Sequence, residues 1–284
     1  MILLIHCKDL LLSKFANYLK DNGVEHMNVN LGDMVNNTYV NAKLTNKMVE
    51  SSWQFQVNDL PICLDNFNAI YHNLSYPTKD MFNLFENEDI DYCRSEWFGY
   101  LIYELSRHNN CFNPVCPSGF FNPKYSLPYL YKLANELNFN TPEYILFPKK
   151  EILKNISSEY CFKQSIYDFT DYSINYNSLK SPQIALRLVS GAKVLANFSG
   201  NKYFANIQYQ DCKKNFDLSP EIVEKCQALL EKLNLRICQL FFMCTPKGDL
   251  ILYHLNPSIK YNHVSNDIEL FFNNMLKGFN NAYH

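Results

Sequence analysis

A histidine and an asparagine lie near the end of a predicted strand in DLILYHLNPSIKYN, residues 249–262. Leu250 and Leu252 indicate a strand that runs through His254 to a polar corner at Asn256. Asn256 offers an oxygen ligand, whereas the imidazole nitrogen of His254 suits zinc or nickel better than magnesium. Two interpretations of His254 follow: a strand residue hydrogen-bonded to its neighbours, or a metal ligand.

A second cluster of metal-binding side chains, His108, Cys111 and Cys116, lies in SRHNNCFNPVCPSG. A structural zinc site needs four ligands at regular spacing. No fourth ligand is evident and the spacing matches no standard zinc finger, so the sequence favours a plain loop, with a zinc site as the alternative. The ten cysteines form no CxxC pair, which is typical of core residues in a reducing compartment.

The composition excludes several classes of protein. Lys and Arg number 26 against 28 Asp and Glu, and this balance provides no basic surface for nucleic acid or membranes. The eight glycines form neither a GxGxxG nor a Walker loop, which argues against a Rossmann dehydrogenase and a P-loop NTPase. No apolar run reaches the roughly 18 residues of a membrane span, and no signal peptide is evident. We therefore predict a cytoplasmic protein that binds neither nucleic acid nor membrane.

The elements that must position these residues begin with an α/β lobe, predicted for residues 1–118. Apolar periodicity predicts a βαβ opening over residues 1–31, then a hairpin, a further strand and an amphipathic helix with Tyr92, Trp97 and Leu101 on one stripe. A small central lobe, residues 119–182, contains a helix in SLPYLYKLANEL and strands in TPEYILF and SEYCFKQS. Residues 165–183 give no assignment.

The C-terminal lobe, predicted for residues 183–284, consists of an antiparallel sheet with helices. QIALRLVSGAKVLANFSGNKYFANIQY predicts three antiparallel strands with the first turn at Ser190-Gly191. Ser219-Pro220 predicts the N-terminus of the next helix. Two strands joined by TPKGD and a closing helix from Asp267 follow. The predicted fold class is therefore a mixed fold of helices and strands, α/β (α+β).

The order of these elements resembles the ATP-grasp superfamily, and most of all the ATP-grasp ligases that modify ribosomally made peptides, the makers of microviridin-type and graspetide cross-links. Four stretches carry the resemblance: FNPKYSLPYLYKLANELNFNTPEYIL, IALRLVSGAKVLANFS, SPEIVEKCQALLEKLNL and CQLFFMCTPKGDLILYHLNPS. The resemblance implies an ATP-grasp-like fold. It also implies transfer of the γ-phosphoryl group of ATP to a carboxylate, followed by attack of a nucleophile on the acyl phosphate.

The resemblance also implies a degenerate metal site. Family members hold two magnesium ions with an acidic residue on one strand and a Glu-x-Asn at the end of the next. These positions fall on Phe241, His254 and Asn256, so only the asparagine is kept. The resemblance thus implies Asn256 as a metal ligand, with His254 as a second ligand if the site is repurposed.

Nucleotide contacts are implied at two further positions. Arg187 takes the place of a catalytic arginine that faces the phosphates or the acyl phosphate, and Lys163 that of a lysine that reaches the nucleotide phosphates. Lys193 is either a phosphate contact or a charge beside a hairpin. The family's acidic residue before the arginine is here Ala185, and its first central-lobe lysine is here Leu127. Residues 165–183 contain no glycine for a phosphate loop.

Two functions remain open. In the first, the ATP chemistry is impaired or lost, and the pseudoenzyme binds a precursor peptide or partner protein through the strands of residues 183–209, with no cofactor required. In the second, an active ligase forms amide or ester bonds with ATP and Mg²⁺ held by a rebuilt metal site that includes Asp249 or Asp211. The resemblance is compatible with a homodimer and with a heteromer that contains an intact ATP-grasp paralogue.

Overall fold

The computed structural model describes residues 1–44, 49–57, 60–74, 76–113, 115, 126–147, 159–163, 165–166, 184–209 and 212–281, without the side chains of 38–44, 49–57, 60–62 and 279–281. The helices in these ranges are α1 (Leu10–Asp21), α2 (Leu31–Asn36), α3 (Ile90–Ser106), α4 (Leu127–Glu136), α5 (Pro220–Leu233), α6 (Tyr261–Val264) and α7 (Ile268–Asn281). Of the helices that the structure describes, none combines the length and the apolar character needed to cross a bilayer.

The strands are β1 (Ile2–His6), β2 (His26–Asn30), β3 (Thr38–Leu44), β4 (Val49–Val57), β5 (Leu60–Ile62), β6 (Ala69–Asn73), β7 (Tyr144–Leu146), β8 (Tyr160–Lys163), β9 (Ile184–Arg187), β10 (Ala192–Ser199), β11 (Lys202–Tyr209), β12 (Cys212–Asn215), β13 (Ile237–Cys244) and β14 (Leu250–Asn256). Residue contacts divide the chain into two compact units. The first comprises Met1–Phe120, Lys260–Asn262 and Phe279–His284, and the second Phe121–Ile259 and His263–Gly278. The division into three lobes stays a prediction.

The first unit is built on a parallel sheet of order β2-β1-β6. Strand β1 is buried along its whole length, as expected for the central strand of a parallel sheet. The predicted βαβ opening is confirmed, and so is the antiparallel pairing of β3 with β4. The predicted apolar stripe of α3 is wrong at Tyr92, which is 68% exposed. At about 100° per residue, Tyr92 lies on the side of the helix opposite the buried Leu101.

The second unit contains an antiparallel sheet of order β12-β11-β10-β13-β14 and a smaller sheet of order β7-β9-β8. The prediction that β9 and β10 form a hairpin is wrong, because β9 pairs with β7 and β8 instead. Residues 188–191 therefore cross from one sheet to the other. Gly191 is required in this crossing, since a Cβ atom there would lie 2.1 Å from the carbonyl oxygen of Cys244.

The two faces of the five-stranded sheet differ in character. One face shares a core cluster with α4 and α5, which includes Leu130, Val194, Leu229, Leu240 and Leu252. Strand alternation places a different set on the opposite face: Lys193, Leu195, Asn197, Asn206, Gln239, Phe241, His254 and Asn256. We call this second face the polar face. Helix α7 packs on it through Phe271, whose ring centroid lies 5.9 Å from that of Phe204.

Candidate functional site

A β-bulge in the β13–β14 hairpin determines which side chains of β14 reach the polar face. Phe241 pairs with His254 and Phe242 pairs with Leu252, so Tyr253 is an extra residue in β14. A bulge adds one residue to one strand and shifts the alternation of its side chains. As a result Leu252 and Tyr253 both contribute to the core cluster, and the Phe241 ring lies between the rings of Tyr253, at 6.2 Å, and His254, at 4.5 Å.

Phe241 and His254 form a contacting ring pair on the polar face. Their ring centroids are 4.5 Å apart with an interplanar angle of 44°. The side chains are buried, with exposed fractions of 3% and 5%. Burial, and secondly the positive charge of Lys163, lowers the pKa of His254 to about 3, so the imidazole is neutral at physiological pH. The ring pair thus occupies two positions at which the family resemblance implies carboxylates.

Two lysines lie beside this ring pair. Lys163, at the end of β8, is 2% exposed and close enough to His254 for its charge to act on the imidazole. Lys193, on β10, is exposed and its Nζ atom lies 6.0 Å from the centroid of the Phe241 ring. The structure therefore brings together Lys163, Lys193 and the ring pair, which gives this part of the polar face a cationic character.

Asn256 lies two residues beyond His254 and belongs to a polar network. Its Oδ1 accepts a hydrogen bond from the backbone N–H of Ser258 at 2.9 Å, as in an Asx turn. Its cross-strand partner Gln239 donates from Nε2 to Oδ1 of Asn197 at 2.7 Å. The Oε1 of Gln239 lies 2.9 Å from Nδ1 of His263. The amide of Asn256 therefore already serves the turn that follows β14.

The side chains at the implied metal site do not fit magnesium. Mg²⁺ requires oxygen ligands in near-octahedral geometry. Phe241 offers no ligand, the buried imidazole of His254 offers nitrogen, and Asn256 offers one oxygen that accepts a hydrogen bond from the Ser258 N–H. Within the described ranges of the chain, no group of three His, Cys, Asp or Glu side chains is arranged to hold a metal ion.

Arg187 lies at a different place from the two lysines. Its side chain is 48% exposed, and its guanidinium pairs with Glu143 at 3.0 Å and with Glu159 at 3.8 Å. Lys163 pairs across the sheet with Ile184, three residues before Arg187, so alternation places Lys163 and Arg187 on opposite faces of the β7-β9-β8 sheet. The structure does not bring their side chains together, and the role of Arg187 toward phosphates stays a prediction.

Asp249, the candidate for a rebuilt metal site, lies in the hairpin turn. Its backbone N–H donates to Thr245 Oγ1 at 3.1 Å. Aspartate is common in such turns, so the turn alone explains an aspartate at this position. Asp249 is seven residues from Asn256 along an extended strand, a separation of about 23 Å. The two side chains therefore cannot bind one ion. The other candidate, Asp211, lies outside the described residues.

The cysteine–histidine cluster in the first unit is described in part, because Cys116 lies outside the described residues. Cys111 is buried and its thiol donates to the carbonyl of Leu105 at 3.4 Å. Burial raises the pKa of the Cys111 thiol to about 12, so the thiolate needed for zinc is disfavoured. His108 Nδ1 lies 3.4 Å from a carboxylate oxygen of Asp65. These contacts favour a core thiol over a metal ligand at Cys111.

Sequence reasoning missed two tyrosines next to the site. The Tyr131 hydroxyl donates to the carbonyl of Tyr253 at 2.6 Å, and the Tyr253 hydroxyl donates to the carbonyl of Arg187 at 2.7 Å. Both residues fit apolar patterns in the sequence, so only their hydroxyl groups hinted at a hydrogen-bonding role.

No protein-family model and no curated protein matches the sequence. Solved structures do match, and one of them is the RiPP-associated ATP-grasp ligase of Chryseobacterium gregarium in complex with ADP and a leader and core peptide. It is 13% identical, with a TM-score of 0.75, over 96% of this chain and 95% of that chain.

Two further structures match over 98% of this chain and 98% of the other. The macrocyclase MdnC of Microcystis aeruginosa MRC, bound with precursor peptide MdnA, is 11% identical with a TM-score of 0.74. The ATP-grasp ligase PsnB, complexed with precursor peptide PsnA2 and AMPPNP, is 12% identical with a TM-score of 0.72. The chain thus has the fold of the ATP-grasp peptide ligases, which confirms the predicted fold class.

Proposed function

We propose that this protein is a relative of the peptide-modifying ATP-grasp ligases whose phosphoryl transfer is impaired or lost, and that it serves as a peptide-binding or partner subunit in ribosomal-peptide maturation. The observation that carries the proposal is the contact between Phe241 and His254. These two buried and uncharged rings replace the carboxylates that the family resemblance implies at the metal site.

The ring pair affects phosphoryl transfer through electrostatics. In ATP-dependent transfer, metal ions neutralise the charge of the phosphates and of the transition state. Phe241 and His254 supply no negative charge to hold such ions. Lys163 and Lys193 remain beside the ring pair and attract an anionic ligand directly, without a metal. The site is thus better suited to binding an anion than to metal-dependent catalysis.

The peptide side of the proposal is supported by the fold comparison. The three ligases named above are in complex with precursor, leader or core peptides, and each match covers nearly the whole of this chain. In this chain we assign peptide binding to the strands of residues 183–209. A cytoplasmic location, and assembly as a homodimer or with an intact ATP-grasp paralogue, belong to the same proposal.

The proposal is tested by calorimetric titration with ATP in the presence of Mg²⁺ or of EDTA. We expect Mg²⁺ to give no increase in ATP affinity for the wild-type protein. The double variant Phe241→Asp/His254→Glu restores two carboxylates and should gain Mg²⁺-dependent ATP binding, because Asn256 is already present. The matched control, Phe241→Leu/His254→Leu, removes both rings without adding ligands and should gain nothing.

The alternative is an active ATP-dependent ligase that forms amide or ester bonds. Two retained residues favour it, Lys163 in a buried position and Asn256 at the strand end. It predicts phosphate release from ATP that depends on an added peptide and is abolished by Asn256→Ala. Such release by the wild-type protein would overturn the proposed loss of ATP chemistry.

A further inference from the structure

Two tyrosine hydroxyls connect helix α4, strand β14 and strand β9 inside the second unit. Tyr131 donates to the carbonyl of Tyr253 at 2.6 Å, and Tyr253 donates to the carbonyl of Arg187 at 2.7 Å. Burial raises the pKa of the Tyr253 hydroxyl, and the nearby backbone N–H of Val189 acts in the opposite direction. Tyr131 and Tyr253 are 0% and 1% exposed. A continuous hydrogen-bonded chain therefore runs from α4 through β14 to the end of β9.

The β-bulge explains why Tyr253 can make both contacts. A bulged residue is left out of the regular ladder, so its carbonyl lacks the usual cross-strand partner. Tyr131 supplies that partner. The Tyr253 side chain contributes to the core cluster, where its ring centroid lies 6.2 Å from that of Phe241. Tyr253 thus binds one neighbour through its backbone and another through its side chain.

The Tyr253 hydroxyl takes the place of a neighbouring strand at the end of β9. The backbone N–H of Arg187 donates to the carbonyl of Glu143, the residue before β7, at 2.8 Å. The next group on the same edge of β9, the Arg187 carbonyl, accepts a hydrogen bond from the Tyr253 hydroxyl at 2.7 Å, and the Val189 N–H lies close enough to act on the pKa of that hydroxyl. Residues 188–191 then cross to the five-stranded sheet. The phenol therefore stabilises the chain where it leaves one sheet for the other.

We propose that Tyr253 is a positioning residue: its hydroxyl fixes Arg187 and the crossing to β10 against the strand end that carries His254 and Asn256. The inference rests on the proposed function, because Arg187, the crossing and Lys193 on β10 all belong to residues 183–209, to which we assign peptide binding. A tyrosine is suited to this role, since it has few rotatable bonds and its backbone carbonyl is itself bound by Tyr131.

A buried tyrosine that merely satisfies its hydroxyl is the simpler interpretation. Loss of the hydroxyl would then lower the stability of the whole unit and change no region in particular. A positioning role predicts a local effect instead. The amide of Val189 should become exchangeable and the environment of the Arg187 guanidinium should change, while the rest of the unit keeps its protection.

The experiment compares Tyr253→Phe with Tyr203→Phe, a matched control in the same unit whose hydroxyl donates to the Leu218 carbonyl at 3.4 Å. Hydrogen exchange should be about tenfold faster at Val189 in Tyr253→Phe and unchanged there in the control.

The side-chain Nε–H signal of Arg187 should shift or broaden in Tyr253→Phe alone. The chain has four arginines, so Arg187→Lys assigns this signal. Unchanged exchange at Val189, or an equal increase in both variants, overturns the positioning role.

A second titration separates this inference from the proposed function. Sodium tripolyphosphate in EDTA serves as a metal-free polyanionic probe. If it binds the wild-type protein, we expect about tenfold weaker binding to Tyr253→Phe and full affinity in Tyr203→Phe. Failure of the wild-type protein to bind tripolyphosphate contradicts anion binding at this site, whereas the exchange at Val189 still decides whether Tyr253 positions the crossing.

Discussion

Acidification should destabilise the first unit through a single histidine, His72 on β6. Its Nε2 lies 2.7 Å from the backbone carbonyl of Asn113, so the neutral ring donates a hydrogen bond there. Burial lowers the pKa of His72 to about 4 from a value of 6.5, although the hydrogen bond to Asn113 acts in the opposite direction. The unfolded chain therefore binds a proton at a pH where the folded protein does not.

The sign and size of the effect follow from this pKa difference. Because the pKa is lower in the folded state, the stability contribution is complete above the unfolded pKa and is lost as the pH falls toward the folded pKa of about 4. Between pH 7.5 and pH 5 the linkage amounts to about 2 kcal/mol less free energy of unfolding. His72→Gln keeps an amide donor but cannot titrate, so it should abolish this part of the pH dependence.

Urea unfolding followed by tryptophan fluorescence measures the effect. Both tryptophans of the chain, Trp53 and Trp97, belong to the first unit, so the signal reports on that unit. The matched control is His26→Gln, since His26 is another histidine of the first unit whose ring contacts a backbone carbonyl. An equal loss of stability on acidification in the wild-type protein and in His72→Gln would refute the reasoning.

Other predictions concern the elements that support the site. Gly191→Ala should lower the melting temperature and cost about 2 kcal/mol or more, because the new Cβ meets the Cys244 carbonyl at 2.1 Å. Its control Gly99→Ala, in α3 with no atom within 4 Å of the new Cβ, should stabilise the protein by about 0.5–1 kcal/mol. Ser219→Ala removes the side-chain acceptor for the Ile222 N–H and should cost about 1 kcal/mol in urea unfolding, while Ser219→Asp should retain most of the stability.

Local signals in the sequence predicted most elements of the second unit. The serine–proline pair before α5 predicts its start, and the structure has Ser219 as N-cap with its side chain accepting from the Ile222 N–H. The hairpin of β13 and β14 follows from the TPKGD turn. The pairing of β9 could not be predicted, because Ile184, Ala185 and Leu186 are all buried and give no alternation that identifies a neighbour.

The site itself was predicted only at the level of single positions. Alignment with the family pattern places Phe241 and His254 at metal-ligand positions one at a time. Their contact depends on the bulge at Tyr253, and an extra residue in an apolar strand leaves no mark in a hydrophobic pattern. The separation of Lys163 from Arg187 likewise depends on which strands pair, which the sequence did not reveal.

Because Phe241 and His254 are in contact, the two lost carboxylates cannot be restored independently. Phe241→Asp alone places a carboxylate at a position that is 3% exposed, next to a neutral imidazole, and burial of an unpaired charge is unfavourable. The double variant adds a second carboxylate at close range and should be less stable still without a cation.

If a metal site is re-formed, Mg²⁺ at about a hundred times its Kd should stabilise the double variant by about 2.7 kcal/mol. A thermal-shift titration with MgCl₂ measures this gain. A shift of the same size in the Phe241→Leu/His254→Leu control would show that the ion binds elsewhere, and would contradict the assignment of the metal position to this ring pair.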